Sequence, residues 1–417
     1  MLESPYTVRN LTSLIQKKRG RKNSSNSKLE ALETARKILE KIESNTIFKH
    51  AFKELKINNK KVISYLTEDA ETASRLAIRN LKLNARLKQS NRSDIIAALI
   101  PSLQDGTPYT IHRFDIVKFY ESIDRNKLLS ILEDQALCSF KTLKLIRHLF
   151  DNLTNLGIQG LPRGLDISAY LSEIYMQQFD NKTKRLSHVN FYARFVDDIL
   201  ILTNTSSTDD TSIQIRNILS TELKLHKKTK SNLIHIEKIQ TTSKLNTKDF
   251  DYLGYKFRVH NTYISNSETI YRNKRIVDID LSDNKTKKIK SRIFSSLLSY
   301  CSSSKKPYDY ELLKKRIKTL TGNYEIDSKN GTCIKTGIYY NYHHKTKIQN
   351  CNLAELDNSF KRALFSKSHH LNTSICSALN ISQRRSLANF SFLRGFEKVT
   401  YYSFSYKELA EIRQHWN

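Results

Sequence analysis

The sequence predicts an α+β fold, in which strands and helices are mixed through the first two thirds of the chain and helices follow. Three observations support this prediction. Residues 109–117 alternate in polarity and carry β-branched side chains, as a strand does. Residues 191–203 form two short apolar stretches that meet at Asp197-Asp198, which indicates a hairpin. Beyond about residue 284, apolar side chains recur at helical spacing.

The remaining elements divide the chain into three predicted domains. The spacing of apolar residues predicts helices at 68–87, from 125 onward, and at 168–184, 212–225, 287–300, 310–320 and 352–364. A further strand is predicted at 250–259, carrying Gly254. We therefore expect a basic N-terminal extension at 1–44, with its run of Lys and Arg at 17–22 in a loop, then a mixed domain at 45–283. A basic helical domain is expected at 284–417.

The composition indicates a folded protein with a polyanionic partner. The chain has 417 residues, with 70 Lys and Arg against 41 Asp and Glu, which gives a net charge of +29 at pH 7. A surplus of this size is typical of proteins that bind nucleic acid. The hydrophobic fraction of 39%, which includes 21 Tyr and 18 Phe, excludes a disordered polycation.

Membrane-spanning, secretory and zinc-binding signals are missing from the sequence. No apolar run approaches the ~20 residues that cross a bilayer, and the N-terminus lacks the apolar core of a secretory signal. We therefore expect a soluble cytoplasmic protein with no membrane partner. The cysteines are odd in number and widely spread, which argues against a zinc site or a disulfide framework: Cys138, Cys301, Cys333, Cys351 and Cys376.

Two adjacent carboxylates, Asp197 and Asp198, interrupt the apolar hairpin. Ionised carboxylates about 4 Å apart repel each other by roughly 4 kcal/mol at the effective dielectric of a protein surface. A bound divalent cation reverses the sign of that interaction. The second pair, Asp209-Asp210, lies in a polar stretch rich in Ser and Thr, so we interpret it as a solvated loop. Asp115, which lies near the end of the first predicted strand, joins the first pair if the strands are neighbours in one sheet.

Three carboxylates at one place predict a two-metal site. Oxygen ligands suit Mg²⁺, with Mn²⁺ as the alternative ion. Two ions about 4 Å apart can activate an attacking hydroxyl and neutralise a leaving pyrophosphate. The acids therefore predict metal-dependent nucleotidyl transfer.

A glycine-rich loop lies between the two acidic regions, where residues 157–164 contain three of the ten glycines and Pro162. With this loop, the sequence resembles the reverse transcriptase family. The sequence blocks of that family run in the order aspartate strand, glycine-proline loop with helix, X-X-Asp-Asp hairpin, lysine motif and Leu-Gly strand. All five occur here in that order between about residues 92 and 259, with 223–230 as the lysine block and 250–255 as the last.

The resemblance implies a right-hand polymerase, with fingers and palm at 45–283 and a helical thumb with C-terminal domain at 284–417. It implies that Asp115, Asp197 and Asp198 are catalytic and hold two Mg²⁺ ions, with the Ile116 backbone carbonyl as a further ligand. Tyr120 lies where the family has an aromatic steric gate. Such a ring favours deoxynucleotides because it clashes with a 2′-hydroxyl. A plain core aromatic is the alternative interpretation of Tyr120.

Two positions depart from the family pattern. Arg163 stands where Gln is common in the glycine-proline loop, and Phe195 stands where the acidic hairpin usually has Tyr. Neither change removes a metal ligand. A guanidinium has five donors and binds phosphate more strongly than an amide does. We therefore expect unusual sugar and base discrimination from Arg163.

The resemblance also implies further contacts to nucleotide and primer. Arg75, Arg79, Lys82 and Arg86 recur on one helix stripe, which would face the triphosphate or template, or simply solvent. Lys228 would contact the leaving pyrophosphate, with a solvated lysine as the alternative. The implied nucleotide-binding residues are Tyr120, Arg163, Gly164, Lys228, Arg75 and Arg79, and the implied primer grip is Tyr252, Leu253 and Gly254.

Within the family, the loop and helix at 161–176 are most similar to bacterial abortive-infection and defence-associated reverse transcriptases, the third defence type among them. This similarity implies an RNA-directed DNA polymerase in anti-phage defence, with deoxynucleotides as substrate, an RNA template that is a dedicated non-coding RNA, and a DNA product. A second reverse transcriptase subunit or a homo-oligomer is the implied assembly. Two alternatives stay open: a template-independent or protein-primed terminal transferase, and a non-catalytic RNA-binding cofactor.

Overall fold

The structure, a computed structural model, describes residues 3–19, 25–57, 60–85, 91–204, 208–226, 233–239, 247–263, 275–327, 333–346 and 351–416. The chain divides into two compact units. The first unit comprises residues 1–102 and 107–238, and the second comprises 103–106 and 239–417. The predicted α+β class is confirmed, because helices accompany sheets that are all antiparallel in the described residues.

The first unit contains eight named helices and six strands within the described ranges. Its helices are α1 Val8–Arg19, α2 Ser25–Glu43, α3 Glu68–Ala85, α4 Arg92–Leu103, α5 Arg125–Asp134, α6 Phe140–Asn155, α7 Asp166–Lys184 and α8 Thr208–Ile218. Its strands are β1 Phe52–Ile57, β2 Lys60–Tyr65, β3 Tyr109–Asp115, β4 Val189–Phe195, β5 Asp198–Asn204 and β6 Leu233–Ile236. A 3₁₀ turn, Tyr120–Ser122, follows β3.

A four-stranded antiparallel sheet in the order β4-β5-β3-β6 forms the centre of the first unit. Strands β4 and β5 are joined by a two-residue turn, so the sequence-based hairpin prediction is confirmed. Strand β3 lies beside β5, from Tyr109 opposite Asn204 to Asp115 opposite Asp198. Both central strands, β3 and β5, are almost entirely buried. This register fixes which residues reach the end of the sheet.

Helix α7 packs against β4 and also contacts α3, α5 and α8. One apolar cluster joins these elements, and Leu76, Ile146, Leu171 and Ile201 in it are fully buried. Burial of an aliphatic side chain of this size stabilises a fold by roughly 1.5–3 kcal/mol. The cluster therefore supplies a rigid base for the ends of β3 and β5.

The basic run at the N-terminus is partly helical rather than a loop. Lys17, Lys18 and Arg19 lie in the last turn of α1, while residues 20–22 are outside the described part. The Lys18 ammonium lies 2.7 Å from a carboxylate oxygen of Glu71 in α3. This ion pair explains the difference, because it draws the end of α1 onto α3.

The second unit contains five strands and eight helices in its described residues. Its strands are β7 Thr247–Tyr252, β8 Tyr255–Tyr263, β9 Arg275–Leu281, β10 Asn323–Asp327 and β11 Cys333–Gly337. Its helices are α9 Asp283–Cys301, α10 Pro307–Thr321, α11 Ile338–Tyr342, α12 Asn352–Phe365, α13 Asn372–Ala378, α14 Ile381–Ala388, α15 Phe392–Glu397 and α16 Tyr406–Arg413. The expected C-terminal helices are thus present, together with a β10-β11 hairpin that the helical pattern had concealed.

Two predicted elements were wrong in their extent. The strand predicted at 250–259 is a hairpin, because Leu253 and Gly254 have φ angles of 47° and 81° and turn the chain. Two consecutive positive φ values are typical of a type I′ turn between antiparallel strands. The helix predicted at 212–225 begins at Thr208 and ends at Ile218, so Asp209 and Asp210 lie in its first turn rather than in the expected loop. Leu225 instead forms a bridge to Ile116.

Among the described residues, no helix combines the length and the apolar character that crossing a bilayer requires.

Candidate active site

The three acids identified in the sequence meet at one end of the central sheet. The register of β3 and β5 pairs Asp115 directly with Asp198. Asp197 lies in the β4-β5 turn, and its backbone carbonyl accepts a hydrogen bond of 3.2 Å from the Ile116 amide. Directly opposed residues of an antiparallel pair have Cα atoms about 4.5–5.5 Å apart. Acids 82 residues apart in sequence therefore share one edge.

These acids open into a cleft of about 920 Å³ in the first unit. The cleft is lined by Lys60, Lys61, Ile63, Asp115, Ile116, Lys118, Glu121, Ser122, Gly157, Ile158, Gln159, Leu161, Pro162, Arg163, Asp197, Asp198 and His226. Both the acidic edge and the glycine-proline loop contribute, so two of the sequence motifs form one cavity. Its lining also includes cations from β2.

The start of the lysine block closes one side of the acidic edge. The Val117 amide donates to the Lys224 carbonyl, and the His226 amide donates to the Asp115 carbonyl, both at 2.8 Å. The His226 ring also approaches the Asp115 carboxylate, with Nε2 and Oδ2 3.3 Å apart. The sequence motif pointed to Lys228 and not to His226, which lies in the same block. Lys228 itself lies outside the described residues.

The glycine-proline loop packs against the 3₁₀ turn that carries Tyr120. Gly160 has a φ of 59°, and a Cβ there would lie 2.5 Å from the carbonyl oxygens of Tyr120 and Glu121. The Leu161 amide donates a 2.7 Å hydrogen bond to the Tyr120 carbonyl. The residue at position 160 must therefore lack a side chain if the loop is to approach this closely.

Arg125, the first residue of α5, holds the same loop through hydrogen bonds to its backbone. Its Nε and Nη2 donate to the carbonyls of Gly160 and Ile158, each at 2.6 Å. Its Nη1 donates to the Phe150 carbonyl at 3.1 Å and to the Thr154 hydroxyl at 2.8 Å. Sequence reasoning missed this role, because an arginine at a helix start has no local feature that distinguishes it from a solvated one.

Arg163 forms a two-pronged ion pair with Glu121. Its Nε lies 2.7 Å from Glu121 Oε1, and its Nη2 lies 3.3 Å from Oε2. Burial alone would raise the pKa of Glu121, but the hydrogen bonds from Arg163 lower it. The guanidinium carbon is also 5.6 Å from the centre of the Tyr120 ring. Arg163 thus contacts the residue in the steric-gate position, and Glu121 is a partner that the sequence motif did not indicate.

Tyr120 is half-buried in the 3₁₀ turn whose other two residues, Glu121 and Ser122, line the cleft, but Tyr120 itself is not among the described lining residues. Burial raises the pKa of its hydroxyl, and the nearby charges of Glu173 and Asp197 act in the same direction. The hydroxyl is therefore neutral at physiological pH. The steric-gate role of Tyr120 stays a prediction.

The β1-β2 hairpin supplies cations that sequence reasoning missed. Lys60 and Lys61 begin β2 and line the cleft. The hairpin is joined to the loop, because the Ile63 amide donates a 2.8 Å hydrogen bond to the Arg163 carbonyl. Gly164 has a φ of 100°, and a Cβ there would lie 2.4 Å from the Ile63 carbonyl oxygen. The available signal was only a Lys-Lys pair in a short alternating stretch.

The cations that were predicted to share one stripe of α3 differ in their surroundings. Arg75 Nη2 lies 3.0 Å from Glu71, so part of its charge is compensated. Arg79 and Lys82 are exposed, and the Lys82 ammonium lies 4.3 Å from the centre of the Tyr170 ring. Neither Arg75 nor Arg79 is among the described residues that line the cleft. Arg86 lies outside the described residues.

The candidate primer grip lies in the second unit. Tyr252 is buried at the end of β7, and Leu253 and Gly254 form the turn to β8. The Ser282 amide donates a 3.1 Å hydrogen bond to the Gly254 carbonyl. The turn is thus held within its own unit by the start of α9.

Comparison with protein families assigns a class to this site. Residues 55–257 match the family model described as reverse transcriptase (RNA-dependent DNA polymerase). The match includes the three acids, the glycine-proline loop, the second half of β1 and all of β2. The chain therefore carries a reverse transcriptase domain, and it is a nucleotidyltransferase of the RNA-directed DNA polymerase class. The right-hand polymerase fold expected from the sequence is confirmed by this match together with the antiparallel sheet.

Among solved structures, the chain is similar to the telomerase of Candida albicans in complex with the TWJ fragment of telomeric RNA. The sequence identity is 15% and the TM-score is 0.35, over 83% of this chain and 68% of that chain. No curated protein matches the chain in sequence.

Proposed function

We propose that this chain extends a DNA strand on an RNA template, with Asp115, Asp197 and Asp198 as its catalytic acids. The observation that carries the proposal is the register of β3 and β5, which opposes Asp115 and Asp198 at the edge of an open cleft. Carboxylates crowded in this way cost free energy unless a cation binds them. The arrangement therefore favours metal-dependent nucleotidyl transfer over a purely structural role.

The donor chemistry at this edge fits two Mg²⁺ ions, with Mn²⁺ as the alternative. All three side chains offer oxygen, the ligand that hard divalent cations prefer, and Ile116 can add its backbone carbonyl. Across the described ranges, no three His, Cys, Asp or Glu side chains are already gathered into a metal-binding group. We infer that phosphate oxygens of the substrate complete the ligand set. When bound, the ions lower the pKa of the primer hydroxyl and neutralise charge on pyrophosphate.

The triphosphate would bind to the cations of the cleft. Lys60, Lys61 and Arg163 line the same cavity as the acids, and charge-assisted hydrogen bonds to phosphate are strong. Because Nε and Nη2 of Arg163 bind Glu121, Nη1 is the nitrogen that we propose for phosphate. Gly164, Lys228, Arg75 and Arg79 remain proposed nucleotide-binding residues from the sequence.

The substrate sugar would lie against Tyr120. A ring at this position excludes a 2′-hydroxyl, so deoxynucleotides are the proposed substrates. Arg163 supports this role because its guanidinium lies 5.6 Å from the ring centre. The ring and the ion pair would together set the sugar preference.

Template, primer and product would be held largely through phosphates. The net charge of +29 supports this, since Lys and Arg neutralise phosphates and release counterions. Tyr252, Leu253 and Gly254 are the proposed primer grip. Gly254 supports this role, because a glycine permits close approach of another backbone.

We further propose a biological setting from the resemblance at 161–176 alone. The chain would act in the bacterial cytoplasm in anti-phage defence, with a dedicated non-coding RNA as template. A second reverse transcriptase subunit or a second copy of the chain would be its protein partner. Recovery of one RNA species and of a partner protein with the chain purified from its host tests this setting.

The decisive experiment for the activity is the double variant Asp197→Asn, Asp198→Asn. Loss of the metal-binding carboxylates should lower DNA synthesis on an RNA template by at least about 10³-fold, because metal stabilisation supplies several kcal/mol. The matched control is Asp209→Asn, Asp210→Asn, which removes the same charge from the other Asp-Asp pair of the sequence and should leave synthesis unchanged. Normal function of the first variant would favour the non-catalytic RNA-binding alternative.

The terminal-transferase alternative is separated by the product. Synthesis should depend on added RNA, and the DNA should be complementary to that RNA. DNA of unrelated sequence, made equally well without RNA or attached to a tyrosine of the chain, would instead support the template-independent or protein-primed alternative.

A further inference from the structure

Arg194 is a buried cation three residues before Asp197. Its side chain is 2% exposed and lies between two acids of α7. Nε and Nη2 donate to the two Asp180 oxygens, both at 2.8 Å. Nη2 and Nη1 donate to the two Glu173 oxygens at 2.6 and 3.2 Å. Two carboxylates thus surround one guanidinium, and its charge is more than compensated.

A fifth hydrogen bond goes to the turn that carries the catalytic acids. Nη1 of Arg194 donates to the Val196 carbonyl at 3.0 Å. On the other side of the same turn, the Ile116 amide donates to the Asp197 carbonyl at 3.2 Å. Two successive carbonyls of the turn are therefore bound, one by a side chain from β4 and one by the backbone after β3.

The turn needs such support because its first residue is in an unfavourable conformation. Val196 has a φ of 59°, in the left-handed region that β-branched residues avoid. Strain of this kind persists only where the surrounding structure holds it, and it concentrates at functional sites.

We propose that Arg194 is a positioning residue, which holds the Val196-Asp197 turn so that Asp197 and Asp198 face the cleft. The inference rests on the proposed function of these acids. The side chain of Arg194 donates hydrogen bonds to Glu173, Asp180 and Val196 but not to Asp197 or Asp198. Arg194 therefore acts on the two catalytic acids through the backbone of the turn.

The same contacts connect the turn of Asp197 and Asp198 to the glycine-proline loop. Helix α7 begins at Asp166, directly after the glycine-proline loop, and Glu173 and Asp180 lie two turns apart on it. Arg194 therefore joins the acidic turn to the helix that continues from the loop of Arg163. Metal ligands and loop keep one geometry because both are attached to α7.

The test is Arg194→Lys, which keeps the positive charge but loses the planar fork that reaches three partners at once. In the metal-free protein, hydrogen exchange of the amides at 195–199 should accelerate by about tenfold to hundredfold, as expected when a charge-assisted hydrogen bond is lost. In the Mg²⁺-loaded enzyme, kcat should fall and the Mg²⁺ concentration for half-maximal rate should rise several-fold. The KM for deoxynucleotide should change little.

Arg275→Lys is the matched control. Arg275 is a fully buried arginine of the second unit that donates to the backbone carbonyls of Asp105 and Gly106. Its substitution should lower the melting temperature without changing exchange at 195–199 or the Mg²⁺ requirement. If Arg194→Lys shows only that same pattern, Arg194 is structural and the proposal is overturned.

A second variant guards against a protein that does not fold. Glu173→Gln keeps an oxygen acceptor and leaves Asp180 and Val196 in contact with Arg194, so it should show the same effects at smaller size. Unchanged exchange in a folded Glu173→Gln protein would also count against the proposal. Failure of this inference can be distinguished from failure of the proposed function. If the proposed function is wrong, the Asp197→Asn, Asp198→Asn variant will still synthesise DNA, whatever the hydrogen exchange at the turn shows.

Discussion

The two ends of strand β3 differ in how their polar side chains are arranged. At one end, Asp115 faces Asp198 at an open cleft, and both carry charge of the same sign. Toward the other end, polar side chains are buried and bind each other across strands. His112 Nε2 lies 3.0 Å from the Thr203 hydroxyl, and the Thr110 hydroxyl lies 3.0 Å from His235 Nδ1.

The difference shows how one strand can serve both stability and function. Buried polar groups that bind each other are compatible with a stable sheet, whereas opposed carboxylates destabilise it until a cation arrives. We therefore expect function to be concentrated where the sheet reaches solvent. Substitutions at the acidic end should change activity more than stability, and substitutions at the buried end should do the reverse.

The largest expected effect comes from the acidic end. Asp115→Asn should lower the rate of DNA synthesis by at least about 10³-fold, because an amide is a poorer metal ligand than a carboxylate. The melting temperature should stay the same or rise, since one of the opposed charges is removed. Polymerase assays and thermal unfolding of the same preparation measure both, with Asp134→Asn at the exposed end of α5 as control. A large loss of stability in Asp115→Asn would contradict the comparison.

The next effect is a pH dependence from the buried end. Burial lowers the pKa of His112 from 6.5 to about 4, and the neighbouring His235 and His188 add to the shift. Below pH 6.5 the unfolded chain therefore binds a proton that the folded chain excludes. This group makes the free energy of unfolding decrease as the pH falls from about 6.5 to about 4, by up to about 3 kcal/mol.

Denaturant unfolding at several pH values in this window measures the effect. The variant His112→Gln lacks the titrating group, so its stability should fall less steeply over the same window, whatever its stability at pH 7. The remaining titrating groups are common to both proteins and cancel in the difference. Parallel curves for the two proteins would show that His112 is protonated as easily in the fold as in the unfolded chain.

Tyr120 should show a smaller effect on selectivity alone. Tyr120→Ala removes the ring that would clash with a 2′-hydroxyl, so ribonucleotide incorporation relative to deoxynucleotide should rise by about tenfold or more. Tyr120→Phe keeps the ring and should keep the wild-type ratio. Competition between the two nucleotide types measures the ratio, and an unchanged ratio in Tyr120→Ala would mean that the ring only packs.

The smallest effect is expected from Thr203→Val at the buried end. The change keeps the shape of the side chain but removes the hydroxyl that binds His112, which should cost about 1–2 kcal/mol of stability. The rate of DNA synthesis by the folded fraction should not change. Unfolding and activity measured together decide this, and a loss of rate without loss of stability would break the contrast between the two ends.

The acidic end of β3 could be predicted from the sequence, whereas the buried end could not. Three acids stand out because they interrupt strands of largely apolar residues: Asp115, Asp197 and Asp198. The order of the motifs around them also resembles that of one protein family. His112 looked like any polar residue of an alternating strand. Its partner Thr203 is set by the register of β3 and β5, which local patterns do not reveal.

Errors in the predicted elements have a common cause in backbone conformation. Leu253 is an aliphatic residue with positive φ, so the β7-β8 turn looked like continuous strand. Likewise, α8 ends at Ile218 although helical spacing continues to residue 225, because the following segment bonds to the backbone after β3. Tertiary hydrogen bonds overrode local preference in this second case. The partner of Arg163 was missed because Glu121 meets the loop only in the folded chain.

The hold of Arg125 on the glycine-proline loop has a consequence for how this cleft selects its substrate. The carbonyls of Ile158 and Gly160 accept hydrogen bonds from the Arg125 guanidinium, and the Leu161 amide donates to the Tyr120 carbonyl. The loop is therefore held rigidly at the cleft that we propose binds the nucleotide. Loosening it at Arg125 should blur the choice of nucleotide, although that residue would touch no part of the nucleotide itself.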